Sequence, residues 1–427
     1  MSQSFRPTIY AIDFGTSNSL LGASDGRTTH GPVALDAKAP DPTVLRTLLY
    51  FPDAERCFVG SEAIAEYVAN ELEGRLLRSV KRFLPRKEFV GTFIEDRPMN
   101  LEHLVAVFLG EMRRRANDYF QTDVRRVVLG RPARFDRDDS RDRYAEYRLE
   151  RSARLAGFTE VHFCPEPVAA AREFLGELNE PKTILVADFG GGTSDFCVLR
   201  MDREGFRDTD VIALGGVALA GDSLESDLMR RRLSQHFGAD AEYQSPLGSN
   251  IMPMPPRFME AICTPGGMAM LSSRDVQTFL TNVRQWSVRA EDQTRIDKLL
   301  CLVSDQLGFS VFEAIEATKR QLSSQEQATF IFDHPAMHIE DVVTRVEFEQ
   351  YTARTVETIV QTMDATVADA GIGYESIDLV CCTGGTSQVR AIDQAIRQRV
   401  GADRIRHYKM FHSVVSGLTD RAKAIAS

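Results

Sequence analysis

Two short segments of this chain place an aspartate, glycines and hydroxyl side chains in the same order. They are Asp13-Phe14-Gly15-Thr16-Ser17-Asn18 and Asp188-Phe189-Gly190-Gly191-Gly192-Thr193-Ser194-Asp195. The chemistry open to such a set is the holding of a polyphosphate. Glycine lets backbone N–H groups approach an oxyanion closely, Thr and Ser hydroxyls donate further hydrogen bonds, and the two aspartates can hold Mg²⁺, usually through its waters. Read singly, either segment is a turn in which Gly and Asp are ordinary residues. Occurring twice, they point to two related half-molecules around one nucleotide.

Each segment lies between apolar runs, Thr8 to Ile12 and Leu20 to Ala23 in one case, Thr183 to Ala187 and Phe196 to Leu199 in the other. Both therefore read as β-hairpins whose tips carry the polar residues. Elsewhere, Glu316, Lys319 and Ser323 are spaced by three and four. On a helix this puts them on one face, beside an apolar stripe of Val311, Ile315 and Leu322, where they could hold a ribose or adenine or simply form an exposed ion pair. Gly384-Gly385 follows a strand-like run and opens a helix, a place where N–H groups can meet a phosphate or the edge of a nucleoside. Glu166 stands where a strand meets a helix start, with Pro167 as the first helical residue, so a capping acid is the plain alternative to a catalytic one. Lys81 is ordinary by pattern.

At 427 residues with 43% hydrophobic content, the chain should divide into two lobes or more around sizeable cores. Its net charge of −10 argues against nucleic acid as a partner. The basic stretch from Arg131 to Arg154 is interleaved with Asp136, Asp138, Asp139, Asp142, Glu146 and Glu150, the pattern of a solvated, ion-paired helix face. Seven cysteines without C-x-x-C spacing read as reduced and structural. His334 and His338 stand four apart, but Pro335 intervenes and no third ligand is near in sequence, so no metal site is expected there. The absence of a leader-like or membrane-spanning run leads to the expectation of a cytoplasmic protein without a membrane partner.

The first lobe is expected over 1–180, with a small insertion at about 40–112, and the second over 181–427, with an insertion at about 223–310. Helices are predicted from Leu101 to about Tyr119, in the charged stretch ending at Gly157, from Leu224 to Leu233, towards Leu302 and on to Leu322, from Phe348 to Ala370 and from Val389 to Val400. Strands are predicted at Val127 to Leu129, Val161 to Cys164 and Asp378 to Cys382. The Pro-, Gly- and Met-rich stretch 244–271, with Met252, Met254, Met259, Met268 and Met270, reads as an extended loop. It would either cover its own core or offer a partner an adaptable apolar surface.

These motifs in this order resemble the nucleotide-binding domain of the 70 kDa heat-shock (DnaK-type) chaperones, and more closely the short bacterial relatives called YegD, within the actin-like ATPase superfamily. The resemblance is carried by the two hairpins, Val80-Lys81-Arg82-Phe83-Leu84, Gly130-Arg131-Pro132, Glu166-Pro167-Val168-Ala169-Ala170-Ala171, Glu316-Ala317-Thr318-Lys319-Arg320-Gln321-Leu322-Ser323-Ser324 and Thr383-Gly384-Gly385-Thr386-Ser387. It implies an α/β fold of two duplicated, ribonuclease-H-like lobes with inserted subdomains around a nucleotide cleft, binding ATP or ADP with Mg²⁺. On that resemblance Asp13 and Asp188 would hold the Mg²⁺ waters, while Thr16, Ser17, Asn18, Gly190, Gly191, Gly192 and Thr193 would bind phosphates. Lys81 would position the attacking water, Glu166 and Asp195 would be the candidate bases, and Glu316, Lys319, Ser323, Gly384 and Gly385 would grip the nucleoside.

Three departures from the pattern stand out. Gln388 occupies the place of an adenine-stacking Arg, Phe411 to Gly417 replaces an Asp-Glu-Ala-Val-Ala pattern, and no linker or β-sandwich peptide-binding domain is recognised before Ser427. The expected function is an ATP-dependent, chaperone-like switch with weak ATPase activity and a protein client or co-chaperone as partner. A small-molecule kinase and an actin-like filament protein remain the alternatives, since one fold hosts all three.

Overall fold

The computed structural model describes residues 5–70, 73–172, 178–202, 207–246, 248–264, 267–268, 271, 273–305, 307–407 and 412–427. Met270 of the Met-rich stretch and Phe411 of the C-terminal departure lie outside these residues. The chain divides into two compact units, one formed by Met1–Gly221 with Glu357–Ser427, the other by Asp222–Val356.

The larger unit contains the same arrangement twice. Its first copy runs β1 (Ile9–Phe14), β2 (Asn18–Ser24), β3 (Thr29–His30), α1 (Leu101–Phe120), β4 (Arg126–Arg131), α2 (Asp139–Leu155), β5 (Glu160–Pro165) and α3 (Glu166–Ala171). The second runs β6 (Lys182–Phe189), β7 (Ser194–Met201), β8 (Val211–Val217), α4 (Arg345–Asp369, of which the part up to Val356 belongs to the smaller unit), β9 (Leu379–Thr383), α5 (Arg390–Val400), β10 (Ile405–His407) and α6 (Ser413–Ala426). The strand orders correspond, β5-β4-β1-β2-β3 and β8-β7-β6-β9-β10. So do the directions: each hairpin extends antiparallel to its third strand, and each leading strand pairs in parallel with the strand that follows the long helix.

Alternation along the leading strands explains the packing. Tyr10, Ile12 and Phe14 enter a core with Phe108, Leu109 and Leu149 from α1 and α2. Ile9 and Ala11 point the other way, into a second core that they share with Ile184 and Val186 of β6. The closing helices fill this shared core crosswise. Helix α3 touches β6 and β7 of the second sheet, whereas α6 lies on β1, β2 and β4 of the first and against α3 itself. Gly417 makes that helix crossing feasible, because a Cβ there would come within 1.9 Å of the Ala169 carbonyl oxygen.

The charged stretch predicted as a solvated face is only partly so. Arg131 pairs with Asp142 at 2.9 Å and Arg154 with Glu150 at 2.7 Å, but Arg148 is 1% exposed, one of the largest fully buried side chains. Its charge is met inside by Glu102 at 2.9 Å and by backbone carbonyls.

In the smaller unit, the stretch predicted as an extended loop holds ordered elements. Strands Glu242–Gln244 and Ile251–Pro253 pair, and a helix spans Pro256–Ile262. Met254, Phe258, Ile262 and Met268 are buried there, and Phe258 stacks on Phe279 at 5.0 Å between ring centroids. These side chains cover the unit's own core, so the two methionines do not form an exposed surface. No helix among the described residues is long and apolar enough to cross a membrane.

Candidate functional site

Asp13 continues the Ile9, Ala11 alternation by one step, and Asp188 continues Ile184, Val186. Both carboxylates thus rise from the rim of the shared core, one from each sheet. The β6–β7 register places Asp188 directly opposite Asp195, whereas Asp13 faces Leu20. Asp188 accepts a 2.6 Å bond from the Thr383 hydroxyl, and Asp195 accepts one of 2.6 Å from the Ala133 backbone N–H. Thr383 is held there because β9 runs parallel to β6 in that register.

Lys81 sits in a short 3₁₀ turn, Val80–Phe83, and is 5% exposed. It donates a 2.6 Å hydrogen bond to Glu166 Oε1, itself in a residue only 7% exposed. Pro165, not Glu166, occupies the N-cap of α3, and the Glu166 carboxylate is held in a buried ion pair with Lys81. Helix α3 begins at Glu166, which makes Pro167 its second residue.

Four carboxylates, Asp13, Glu166, Asp188 and Asp195, therefore share one ammonium. Burial, then the Glu166 charge, drive Asp13 and Asp195 well above the usual carboxylate range. Asp188 is pushed up to about 6, chiefly by burial and with opposition from its Thr383 bond. Burial alone would depress Lys81, but the charges of Glu166 and Asp13 outweigh it and hold the ammonium above its ordinary value. A site with this excess of buried negative charge fits a divalent cation.

The loops above it fit phosphate oxygens. Thr16 and Gly192, one from each hairpin, approach so closely that a Cβ on Gly192 would lie 2.6 Å from the Thr16 hydroxyl. Thr47 donates to the Gly15 carbonyl at 2.9 Å and Thr386 to the Gly190 carbonyl at 3.0 Å, while the Gly190 N–H closes the second tip on the Thr193 carbonyl at 2.9 Å. Ser17, Asn18, Gly190, Gly191 and Thr193 are half-buried around them. Gly384 requires its glycine, with φ at +79° and a built Cβ 2.1 Å from the Phe189 carbonyl. Gly385 begins a 3₁₀ turn ahead of α5, and Gln388 closes that turn, exposed. Thr16, Lys81, Gly192 and Thr193 also line a cavity of about 450 Å³ together with Arg82 and Arg86.

Glu316, Lys319 and Ser323 lie along the helix Gly308–Ser324 of the smaller unit. Lys319 does not form the simple surface pair that its spacing allows with Glu316; its ammonium meets Glu225 at 2.5 Å, and Glu225 is 3% exposed. Glu225 was not legible as a partner, since nothing in its own segment marks it.

Arg148 was likewise missed. Its guanidinium donates to the carbonyls of Phe83 at 3.3 Å, Arg86 at 3.2 Å and Phe89 at 3.1 Å, pinning the turn that carries Lys81. A lone Arg amid a charged helix gives no signal of this; only its spacing from Ala145, Leu149 and Ser152 on the buried face of α2 hinted at it.

The family model for Hsp70 protein matches residues 9–240 and 302–417, most of the chain. The chain belongs to the Hsp70 family. Among curated relatives, the "Chaperone protein DnaK" of Mycoplasmopsis agalactiae is 23% identical over 402 residues, which is 92% of this chain and 54% of that protein. This Hsp70-family chain thus spans about half the length of that relative. Its duplicated sheets are those of the actin-like ATPase fold expected from the motifs.

Proposed function

We propose that the chain binds Mg-ATP and hydrolyses it slowly, acting as a chaperone-type switch whose state is set by the nucleotide. The supporting observation is the cluster of four carboxylates around Lys81, two of them buried and two half-buried, beneath two glycine and hydroxyl tips. Thr16, Ser17, Asn18, Gly191, Gly192 and Thr193 donate to phosphate oxygens, and Gly190 lets the second tip approach them without a side chain. Asp13 and Asp188 would hold Mg²⁺ through its waters, and the ion would neutralise the charge developing on the transferred phosphoryl group. Lys81 orients the attacking water, and Glu166 or Asp195 accepts its proton. Gly384 and Gly385 meet the nucleoside end of the nucleotide, with Gln388 following them in the same turn.

On this reading residues 1–180 and 181–427 act as the two lobes, the protein works in the cytoplasm, and a client or co-chaperone reads the nucleotide state. Calorimetric titration with ATP, with Mg²⁺ and then with EDTA, together with single-turnover hydrolysis, tests the reading. Absence of Mg-dependent ATP binding overturns it. Co-purification with a hydrolysis-dead variant held in ATP tests for the partner.

A second reading, phosphoryl transfer to a small anionic acceptor, draws on the cavity beside Lys81. Arg82, Arg86 and Arg141 line it, and burial followed by the Arg82 charge holds Arg86 below its ordinary value, a setting that an anion would relieve. ADP release stimulated by added phosphorylated or carboxylated metabolites would favour transfer over hydrolysis.

A further inference from the structure

The helix Ala290–Ser304 presents Cys301 in its last turn, and Asp305 follows as its C-cap, donating its N–H to the Cys301 carbonyl at 2.9 Å. The strand Gln327–His334 ends at His334, directly before the turn into Met337–Thr344. Folding therefore supplies the third ligand type that the spacing of His334 and His338 lacks. His338 itself turns aside to Asp333.

Cys301 Sγ lies 3.4 Å from Asp305 Oδ2 and 3.6 Å from His334 Nδ1, and one ligand atom from each of the three residues falls within 4.8 Å of the other two. Ordinary zinc bond lengths in a tetrahedron imply ligand separations of about 3.3–3.6 Å. Among the described residues, no other group of three His, Cys, Asp or Glu side chains brings its ligand atoms this close.

We propose that Cys301, Asp305 and His334 form a three-ligand site for a zinc-class divalent cation, with water at the fourth corner. Thiolate, imidazole and carboxylate together select Zn²⁺ or Co²⁺ over Mg²⁺ or Ca²⁺, so the site is chemically separate from the phosphate-associated cation and does not rest on the nucleotide reading. As the metal–sulfur bond forms, the Cys301 thiol releases its proton to solvent. The His334 side chain is 20% exposed and that of Asp305 41%, which leaves a path for entry and room for the water. The bound ion would tie the helix end to the hairpin turn.

The test is titration of the EDTA-stripped, nucleotide-free chain with Co²⁺, followed by near-ultraviolet absorption. One equivalent should produce a thiolate-to-cobalt charge-transfer band that Zn²⁺ removes and excess Mg²⁺ does not. Cys301→Ser should abolish the band, and His334→Gln, at a turn where folding is little affected, should weaken cobalt affinity at least about 10-fold. No band at millimolar Co²⁺, or a band that persists in Cys301→Ser or keeps full affinity in His334→Gln, overturns the proposal and leaves the trio as a hydrogen-bonded cluster.

Discussion

The two hairpins are built alike and charged differently. Both leading strands carry an aspartate one step beyond two apolar residues, yet the residue opposite Asp13 is Leu20 and the residue opposite Asp188 is Asp195. The first tip is short and braced by Thr47; the second is longer, richer in glycine, and adds a carboxylate. Duplication of a fold therefore did not duplicate the chemistry. The second sheet supplies two of the four carboxylates, Asp188 and Asp195, and Lys81 is the cation that offsets their charge.

The largest effect is expected from Lys81→Ala. It strips the one ammonium from a buried cluster and should destabilise the fold by about 3–5 kcal/mol in urea unfolding. Single-turnover hydrolysis should fall roughly 100-fold while ATP still binds. Unchanged turnover would remove Lys81 from the chemistry. The double variant Lys81→Met, Glu166→Leu should recover much of the stability and none of the turnover, separating the two roles.

Asp188→Asn should act in opposite directions on stability and binding. Because the folded-state value is raised to about 6, this carboxyl favours the fold below about pH 4, and that contribution is lost as pH rises through 6. Without Mg²⁺ at pH 7 the variant should thus be more stable than the parent by about 3 kcal/mol, a gap that closes towards pH 4. Mg-dependent nucleotide affinity should drop roughly 10- to 100-fold. A variant no more stable than its parent at pH 7 would show that Asp188 is not under electrostatic strain.

Gly192→Ala tests where the two tips meet. Its new Cβ must displace the Thr16 hydroxyl, so a loss of about 1–3 kcal/mol in phosphate binding is expected. Gly190→Ala, whose nearest neighbour would be the Thr193 carbonyl at 3.3 Å, should lose less. Equal losses would mean that the tips act independently. The smallest effect is expected from Arg148→Lys, which keeps the charge but loses the fork of donors. About 1 kcal/mol of stability should go, with a fall in kcat and little change in nucleotide affinity.

Much of this was legible in the chain as written. The hairpins, the long helices Leu101–Phe120 and Arg345–Asp369 and the strand Leu379–Thr383 follow from apolar alternation or helical spacing, which are local properties. The stretch 244–271 was misread because its apolar residues serve short elements too brief to show a period. Local pattern was equally silent on Arg148, Glu225 and the trio of Cys301, Asp305 and His334, whose partners lie far away in sequence.

Residue order alone settled the two glycine and hydroxyl tips, their duplication and the alternation that aims Asp13 and Asp188 from a shared core, because backbone geometry turns spacing into direction within a few residues. Which carboxylate shares Lys81, which arginine holds its turn and which cysteine meets a histidine were set by folding. Those pairings depend on desolvated charges brought within about 3 Å across distant segments, a condition that has no counterpart in the linear chain.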